Sequence, residues 1–124
     1  MERERISEFT RDGKNFIYID CSNLKKNEDF VKIVDIVQQI IVKYPEQSVY
    51  TITNVENIIF DTETKEIAGN CLKYNEPYVK CGAVIGLDGI KKIMVNAVFK
   101  FSGRRPLQFF YTKEKAIEWL LQQK

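Results

Sequence analysis

The sequence predicts an α/β domain in which a mixed, largely parallel sheet of four to five strands is covered by about four helices. The 124 residues are 44% hydrophobic and 29% charged, a composition typical of one folded domain spanning residues 1–124. Segments rich in β-branched and aromatic residues alternate with segments of helical periodicity, and this alternation favours crossovers between parallel strands. Residues 78–86 are almost continuously apolar, as expected of a central strand covered on both faces.

The first half of the chain begins with a predicted hairpin. Its strands are residues 3–9 and 16–19, with a turn at Asp12 and Gly13. A helix follows, with Asn27 as its predicted N-cap and Pro45 beyond its end. Its apolar positions keep the helical period: Phe30, Ile33, Val34, Val37, Ile40 and Ile41.

The second half repeats the alternation of strand and helix. Strands are predicted at residues 48–53, 78–86 and 107–111, and helices at residues 62–74, 89–101 and 113–122. The helix at 89–101 has the clearest periodicity. Thr112 is the predicted cap of the last helix, whose inward residues are Ala116, Ile117 and Leu120.

Composition excludes several classes of function. The absence of histidine excludes a Ser-His-Asp triad, a Cys-His pair and a histidine metal site, and the sequence indicates no cofactor. The three cysteines, Cys21, Cys71 and Cys81, are widely spaced and best interpreted as small apolar residues, not as a disulfide framework or a zinc site. No apolar run approaches the ~20 residues of a membrane span, and the charged start at residues 1–5 is unlike a secretory signal, so we expect a cytoplasmic protein.

Charge is distributed unevenly along the chain. Residues 1–66 hold 9 Lys/Arg and 13 Asp/Glu, whereas residues 67–124 hold 10 and 4. Residues 89–113 contain six bases and no acid, and such a segment attracts anions. The bases predicted to form one positive surface for an anion or an acidic partner are Lys91, Lys92, Lys100, Arg104 and Arg105. The alternative is a solvated rim that the acidic half balances in space.

Two glycines punctuate the turn between the apolar strand and the next predicted helix. Gly86 and Gly89 let the backbone approach a ligand closely, and a helix N-terminus favours anions, so both are candidate anion contacts. The alternative interpretation is a tight turn with a helix cap.

An apolar pair lies on the expected solvent face of the helix at 89–101. Val95 and Phe99 fall opposite its main apolar stripe, and we expect them to form a homodimer interface. The alternative is a helix that is buried on both sides.

Several segments together carry a resemblance to a known family. They are residues 15–24 (NFIYIDCSNL), 51–56 (TITNVE), 77–92 (PYVKCGAVIGLDGIKK), 98–104 (VFKFSGR) and 114–120 (EKAIEWL). With them, nearly the whole chain resembles the small bacterial SpoIIAA-like proteins of the STAS/Sec14-like superfamily. The resemblance implies a STAS-like fold. Because most such proteins are domains of unknown function, it implies less about activity.

The superfamily includes anti-sigma-factor antagonists, and the resemblance implies a place to look for their phosphorylatable serine. That serine stands at the start of a helix after a strand end. The corresponding strand end here, residues 53–57, has no serine. Thr62 is a weak substitute, because Asp61 and Glu63 would repel a phosphate; the alternative is that Asp61 or Thr62 is an N-cap.

We therefore expect a non-enzymatic regulatory or protein-interaction domain that resembles anti-sigma-factor antagonists without their serine. The alternative is a small-molecule or lipid-binding domain of the Sec14-like type, holding an apolar or anionic ligand. An enzyme ranks last, with Asp20 and Glu56, at two strand ends, as the only carboxylate pair to inspect. A protein partner is expected, and the sequence does not favour nucleic acid.

Overall fold

The computed structural model describes residues 2–59, 61–87 and 108–123. The strands are β1 (Ile6–Arg11), β2 (Lys14–Asp20), β3 (Val49–Asn54), β4 (Val79–Ile85) and β5 (Gln108–Phe110), and the α-helices are α1 (Asn27–Ile41), α2 (Thr62–Asn75) and α3 (Lys113–Leu121). A 3-10 turn, Glu2–Arg5, precedes β1. The predicted helix at 89–101, with its proposed interface residues Val95 and Phe99, lies outside the described residues.

The five strands form one sheet in sequence order, β1-β2-β3-β4-β5. β1 pairs antiparallel with β2, and the other three pairings are parallel. The hairpin turns at Asp12 and Gly13, which take the left-handed angles φ 52° and φ 78° that such a tight turn requires. The predicted mixed, largely parallel sheet is therefore confirmed, and β4 is an inner strand with five of its seven residues buried.

Helices cover both faces of the sheet. On one side, here called the α1 face, α1 packs on inward residues of the sheet through Ile33, Val37, Ile40 and Ile41, and α2 lies against α1. On the other side, the α3 face, Ala116, Ile117 and Leu120 pack against Phe16, Ile52 and their neighbours, as the helical period predicts. No helix in the described parts of the chain is long and apolar enough to span a bilayer.

Two sequence expectations about element starts are wrong. The first strand begins at Ile6 and not at residue 3, because residues 2–5 form the 3-10 turn. Asn27 is not the N-cap of α1: Lys26 occupies that position with extended backbone angles and makes no side-chain cap hydrogen bond. Asn27 is the first residue of the helix, and its amide is used elsewhere. The cap predicted at Thr112 is confirmed, with its hydroxyl 3.2 Å from Lys115 N. Of the two alternatives for α2, Asp61 and Thr62, the cap is Asp61, whose carboxylate lies 2.8 Å from Thr64 N.

Candidate functional site

The carboxyl ends of β2, β3 and β4 lie side by side, and the loops that leave them are tied together by backbone hydrogen bonds. In the register of the sheet, Asp20 faces Asn54, and Asn54 faces Ile85. Past these ends, Cys21 N donates to Asn54 O at 2.8 Å and Asn23 N donates to Glu56 O at 2.8 Å. Ligands of open α/β sheets bind beyond the carboxyl ends of the strands, so this edge is the first place to look for a site.

Asparagine side chains lock the two loops that follow β2 and β3. Asn23 and Asn57 both take left-handed backbone angles, φ 63° and φ 57°, which asparagine tolerates better than most residues. Asn57 Nδ2 donates to Asn23 Oδ1 at 2.9 Å, and Lys25 Nζ donates to Asn57 Oδ1 at 2.9 Å. The two loops therefore form one hydrogen-bonded platform.

Gly86, a predicted anion contact, lies at the carboxyl end of β4. Its φ of 90° is in the left-handed region, and a Cβ at this position would lie 2.7 Å from Glu56 N. The close neighbour of Gly86 is therefore the backbone of the β3–α2 loop, and the anion contact at Gly86 stays a prediction. Gly89 lies outside the described residues, as do Lys91, Lys92, Lys100, Arg104 and Arg105.

Three polar side chains join the first turns of α1 and α2. Asp61 Oδ1 caps α2 by accepting from Thr64 N at 2.8 Å, and Asn27 Nδ2 donates to the same carboxylate at 3.1 Å. Thr64 Oγ1 lies 2.7 Å from Asn27 Oδ1 and 2.8 Å from Asp61 Oδ1, within donating distance of both. Thr64 is only 2% exposed. The hydrogen bonds from Thr64 and Asn27 lower the pKa of Asp61, so this carboxylate stays ionised.

The sequence left Asp61 and Thr62 as alternative caps of α2, and the link between Asp61 and Asn27 was missed. An asparagine just before an apolar helical pattern is a standard N-cap signal, and no local signal distinguishes a cap from a contact with a distant helix. Nothing in the sequence indicated that Thr64 bonds to another helix either, because threonine is common in the first turn of a helix.

A shallow notch opens beside this network, between the starts of α1 and α2. Its lining consists of Leu24, Lys26, Asn27, Phe30, Ile58, Ile59 and Thr64, and its volume is about 10 Å³, enough for about one water molecule. Ile59 N donates to Leu24 O at 3.1 Å, which fixes the rim of the notch. The Ile59 side chain is 38% exposed there.

The other residues singled out from the sequence lie around the same edge. Asp20 accepts from the backbone N and the hydroxyl of Ser22, at 2.9 and 2.6 Å. Glu56, its proposed carboxylate partner, is exposed on the loop after the neighbouring strand. Thr62 is exposed in the first turn of α2, beside the Asp61 cap.

The thiol of Cys21, just after β2, is buried and poorly reactive. Cys21 is 1% exposed, and burial, with smaller contributions from Cys71 and Asp20, raises its pKa to about 12. The prediction of a buried apolar cysteine is confirmed for Cys21, whereas Cys71 and Cys81 are half-buried. Within the described residues, no group of three or more Cys, Asp or Glu side chains is placed to hold a metal ion.

The architecture defines an α/β domain with a SpoIIAA-like fold. The chain is similar to the crystal structure of an uncharacterised protein of the DUF3478 family with a SpoIIAA-like fold from Shewanella loihica PV-4. The TM-score is 0.68 at 13% sequence identity, and the match covers 93% of this chain and 91% of the other. No family model and no curated protein matches the sequence. The fold expected from the resemblance is thus shown, and a likeness at this identity shows the fold alone.

Proposed function

We propose that this protein is a non-enzymatic regulatory domain that acts by binding another protein at the rim of the notch. The binding surface would be the platform formed by the loops after β2 and β3, together with the first turns of α1 and α2. The observation that carries the proposal is the exposed Ile59 side chain on a platform whose backbone and polar side chains are fixed by hydrogen bonds. A rigid polar surface around an apolar side chain suits protein docking, because little ordering is required on binding.

The polar groups at the notch are engaged in structural roles, which favours binding over catalysis. Thr64 is buried and hydrogen-bonded, and so is a poor nucleophile or phosphate acceptor. Asp61 has a lowered pKa, whereas a general acid or base works best with a pKa near the working pH.

Among the described residues of this edge, the small-molecule alternative has no comparable support. Pockets for small molecules measure roughly 300–1,000 Å³, and the notch measures about 10 Å³. A second proposed contact, for an anion or an acidic partner, is the predicted basic surface of Lys91, Lys92, Lys100, Arg104 and Arg105. The homodimer contact predicted at Val95 and Phe99 also stays a proposal.

Site-specific photo-crosslinking tests the proposed surface. A benzophenone amino acid at position 59 is compared with the same group at position 42, because Val42 is also an exposed apolar residue, at 44%, but lies at the opposite end of α1. In cells that make the protein naturally, we expect a discrete higher-mass adduct from position 59 and none from position 42. Equal adducts from both positions, or none from position 59, would overturn the proposal.

A further inference from the structure

An aromatic strip runs along the α3 face where β1, β2 and β3 lie beside α3. It consists of Phe9, Phe16, Tyr18 and Tyr50, which the strand register places on one side of the sheet. The rings of Phe9 and Phe16 stack across the hairpin, with centroids 5.0 Å apart and planes within 2°. Phe16 and Tyr50 are buried, whereas Phe9 and Tyr18 are half-buried and form the accessible part of the strip.

In the described part of the chain, three cations lie over these rings. Lys113 Nζ is 4.2 Å from the Tyr18 centroid and 5.4 Å from that of Phe9. Arg11 Cζ is 5.9 Å from the Phe9 centroid, and Lys14 Nζ is 5.7 Å from that of Tyr50. Arg11, Lys14 and Lys113 are here called the cation row. Cations this close to ring faces are held by the ring quadrupole, and they keep N–H donors for other groups.

The cation row has no carboxylate partner in the part of the chain that the structure describes. The ion pairs found there are Arg3–Glu8 and Lys32–Asp29. Lys14 Nζ donates to a backbone carbonyl, that of Leu121, at 3.1 Å. Lys113 also stands in the first turn of α3, where the helix dipole disfavours a cation. The row therefore carries positive charge that an external anion can neutralise.

β1 lies at the edge of the sheet, next to this row. Among the described strands it pairs with β2 alone, and Ser7, Glu8, Thr10 and Arg11 are exposed. An edge strand presents N–H and C=O groups along its outer side, and an extended peptide can pair with them. A peptide strand added there would place every second side chain on the α3 face, beside Arg11.

We propose that β1 and the cation row bind an acidic, extended segment of a partner protein, which adds a strand to the sheet and directs its carboxylates toward Arg11 and Lys113. This surface is on the opposite face of the sheet from α1 and α2, so it does not rest on the function proposed for the notch. The positive charge of the cation row favours an acidic segment over a neutral or basic one. Single-stranded nucleic acid is disfavoured, because bases bind such strips by stacking and the rings of Phe9 and Tyr18 already carry cations.

Binding of labelled synthetic peptides tests the proposal. The probe is a fluorescent ten-residue peptide in which Glu and Val alternate, so that a β-strand presents all its carboxylates on one face. The first control has the same composition in two blocks, and the second replaces Glu with Lys. We expect the alternating acidic peptide to bind at least tenfold more tightly than either control, with affinity falling as salt rises. Equal affinities, or tighter binding of an oligothymidine than of the acidic peptide, would overturn the proposal.

Variants locate the binding. The double variant Arg11→Gln/Lys113→Gln should weaken the acidic peptide about tenfold. The matched control Lys32→Gln/Lys43→Gln removes two exposed cations of the α1 region and should leave the affinity within about twofold. If the first variant does not fold, the pair Asp12→Asn/Glu114→Gln gives the opposite test: it removes the acids next to Arg11 and Lys113 in sequence and should tighten binding severalfold. Hydrogen exchange should slow at β1 amides when the peptide binds; unchanged exchange along β1 would overturn the strand pairing.

Discussion

The hydroxyl of Thr64 lies 2.7 Å from the side-chain oxygen of Asn27, a residue 37 positions earlier in the sequence. This contact, with the Asp61 cap beside it, fixes the start of α2 against the start of α1. A buried hydroxyl and an amide that satisfy each other need no water and no ligand. The junction of the two helices is therefore defined by polar groups, and its stability can be tested directly.

Thr64→Val should destabilise the protein by about 1–3 kcal/mol, because it keeps the side-chain shape and removes the buried hydroxyl donor that lies within reach of the Asn27 and Asp61 oxygens. Thr64→Ser keeps the hydroxyl and should lose less. Thr62→Val, at an exposed position in the same helical turn, should change the free energy of unfolding by no more than about 0.5 kcal/mol. Urea denaturation measures all three, and equal effects at positions 62 and 64 would contradict the role of this contact.

Asp61 should make the stability of the protein depend on acid pH. Its pKa in the folded state is lowered by hydrogen bonds from Thr64 and Asn27. The stabilisation is therefore fully present above the unfolded pKa of about 3.9 and is lost as pH falls through the lower folded pKa. The difference in Tm between the natural protein and Asp61→Ala should stay constant from neutral pH to about pH 5 and shrink below about 3.9. Asp35→Ala, which removes an exposed carboxylate of α1, is the control. A Tm difference for Asp61→Ala that grows on acidification would contradict the assignment.

Gly86→Ala should be more destabilising than Gly13→Ala. Both glycines have positive φ, so both substitutions carry backbone strain of about 1–3 kcal/mol. At Gly13 nothing lies within 4 Å of the added Cβ, whereas at Gly86 that atom would meet the backbone of Glu56 at 2.7 Å. Thermal unfolding of the two variants measures the difference. Equal losses would show that the β3–α2 loop moves aside freely.

Cys21 should resist alkylation in the folded protein. Its burial raises the pKa to about 12, so at pH 8 almost no reactive thiolate is present. Mass spectrometry after iodoacetamide treatment should show Cys71 and Cys81, which are half-buried, modified before Cys21. Cys21 should react once urea unfolds the chain, and modification at the rate of Cys71 in native buffer would contradict this account.

Local signals predicted the sheet well and the candidate site only in part. The Asp12–Gly13 turn, the apolar run of β4 and the cap at Thr112 depend on neighbouring residues, so the sequence alone reveals them. The Asn27–Thr64 contact depends on how two crossover helices meet. No periodicity or motif encodes that meeting, which is why Asn27 was wrongly predicted to cap its own helix.

The cation row is a second feature that the sequence alone did not predict. Lys113 belongs to the basic segment that the charge count identified, and Arg11 and Lys14 flank a hairpin turn about 100 residues earlier. Only the packing of α3 across the sheet brings the three together over Phe9, Tyr18 and Tyr50. Counting charges along the chain therefore identifies a basic segment, whereas a positively charged surface also depends on which segments the fold brings together.

The position of α3 after the five described strands has a consequence for synthesis in the cell. The strands join the sheet in the order in which they are translated, so a nascent chain can assemble most of the sheet from its N-terminus onward. The apolar residues Phe16, Tyr50 and Ile52 receive the side chains of Ala116, Ile117 and Leu120 only after α3 has been translated. At about 5–20 residues per second, this side of the growing sheet waits several seconds for its cover. During that interval it is a surface that a chaperone can bind.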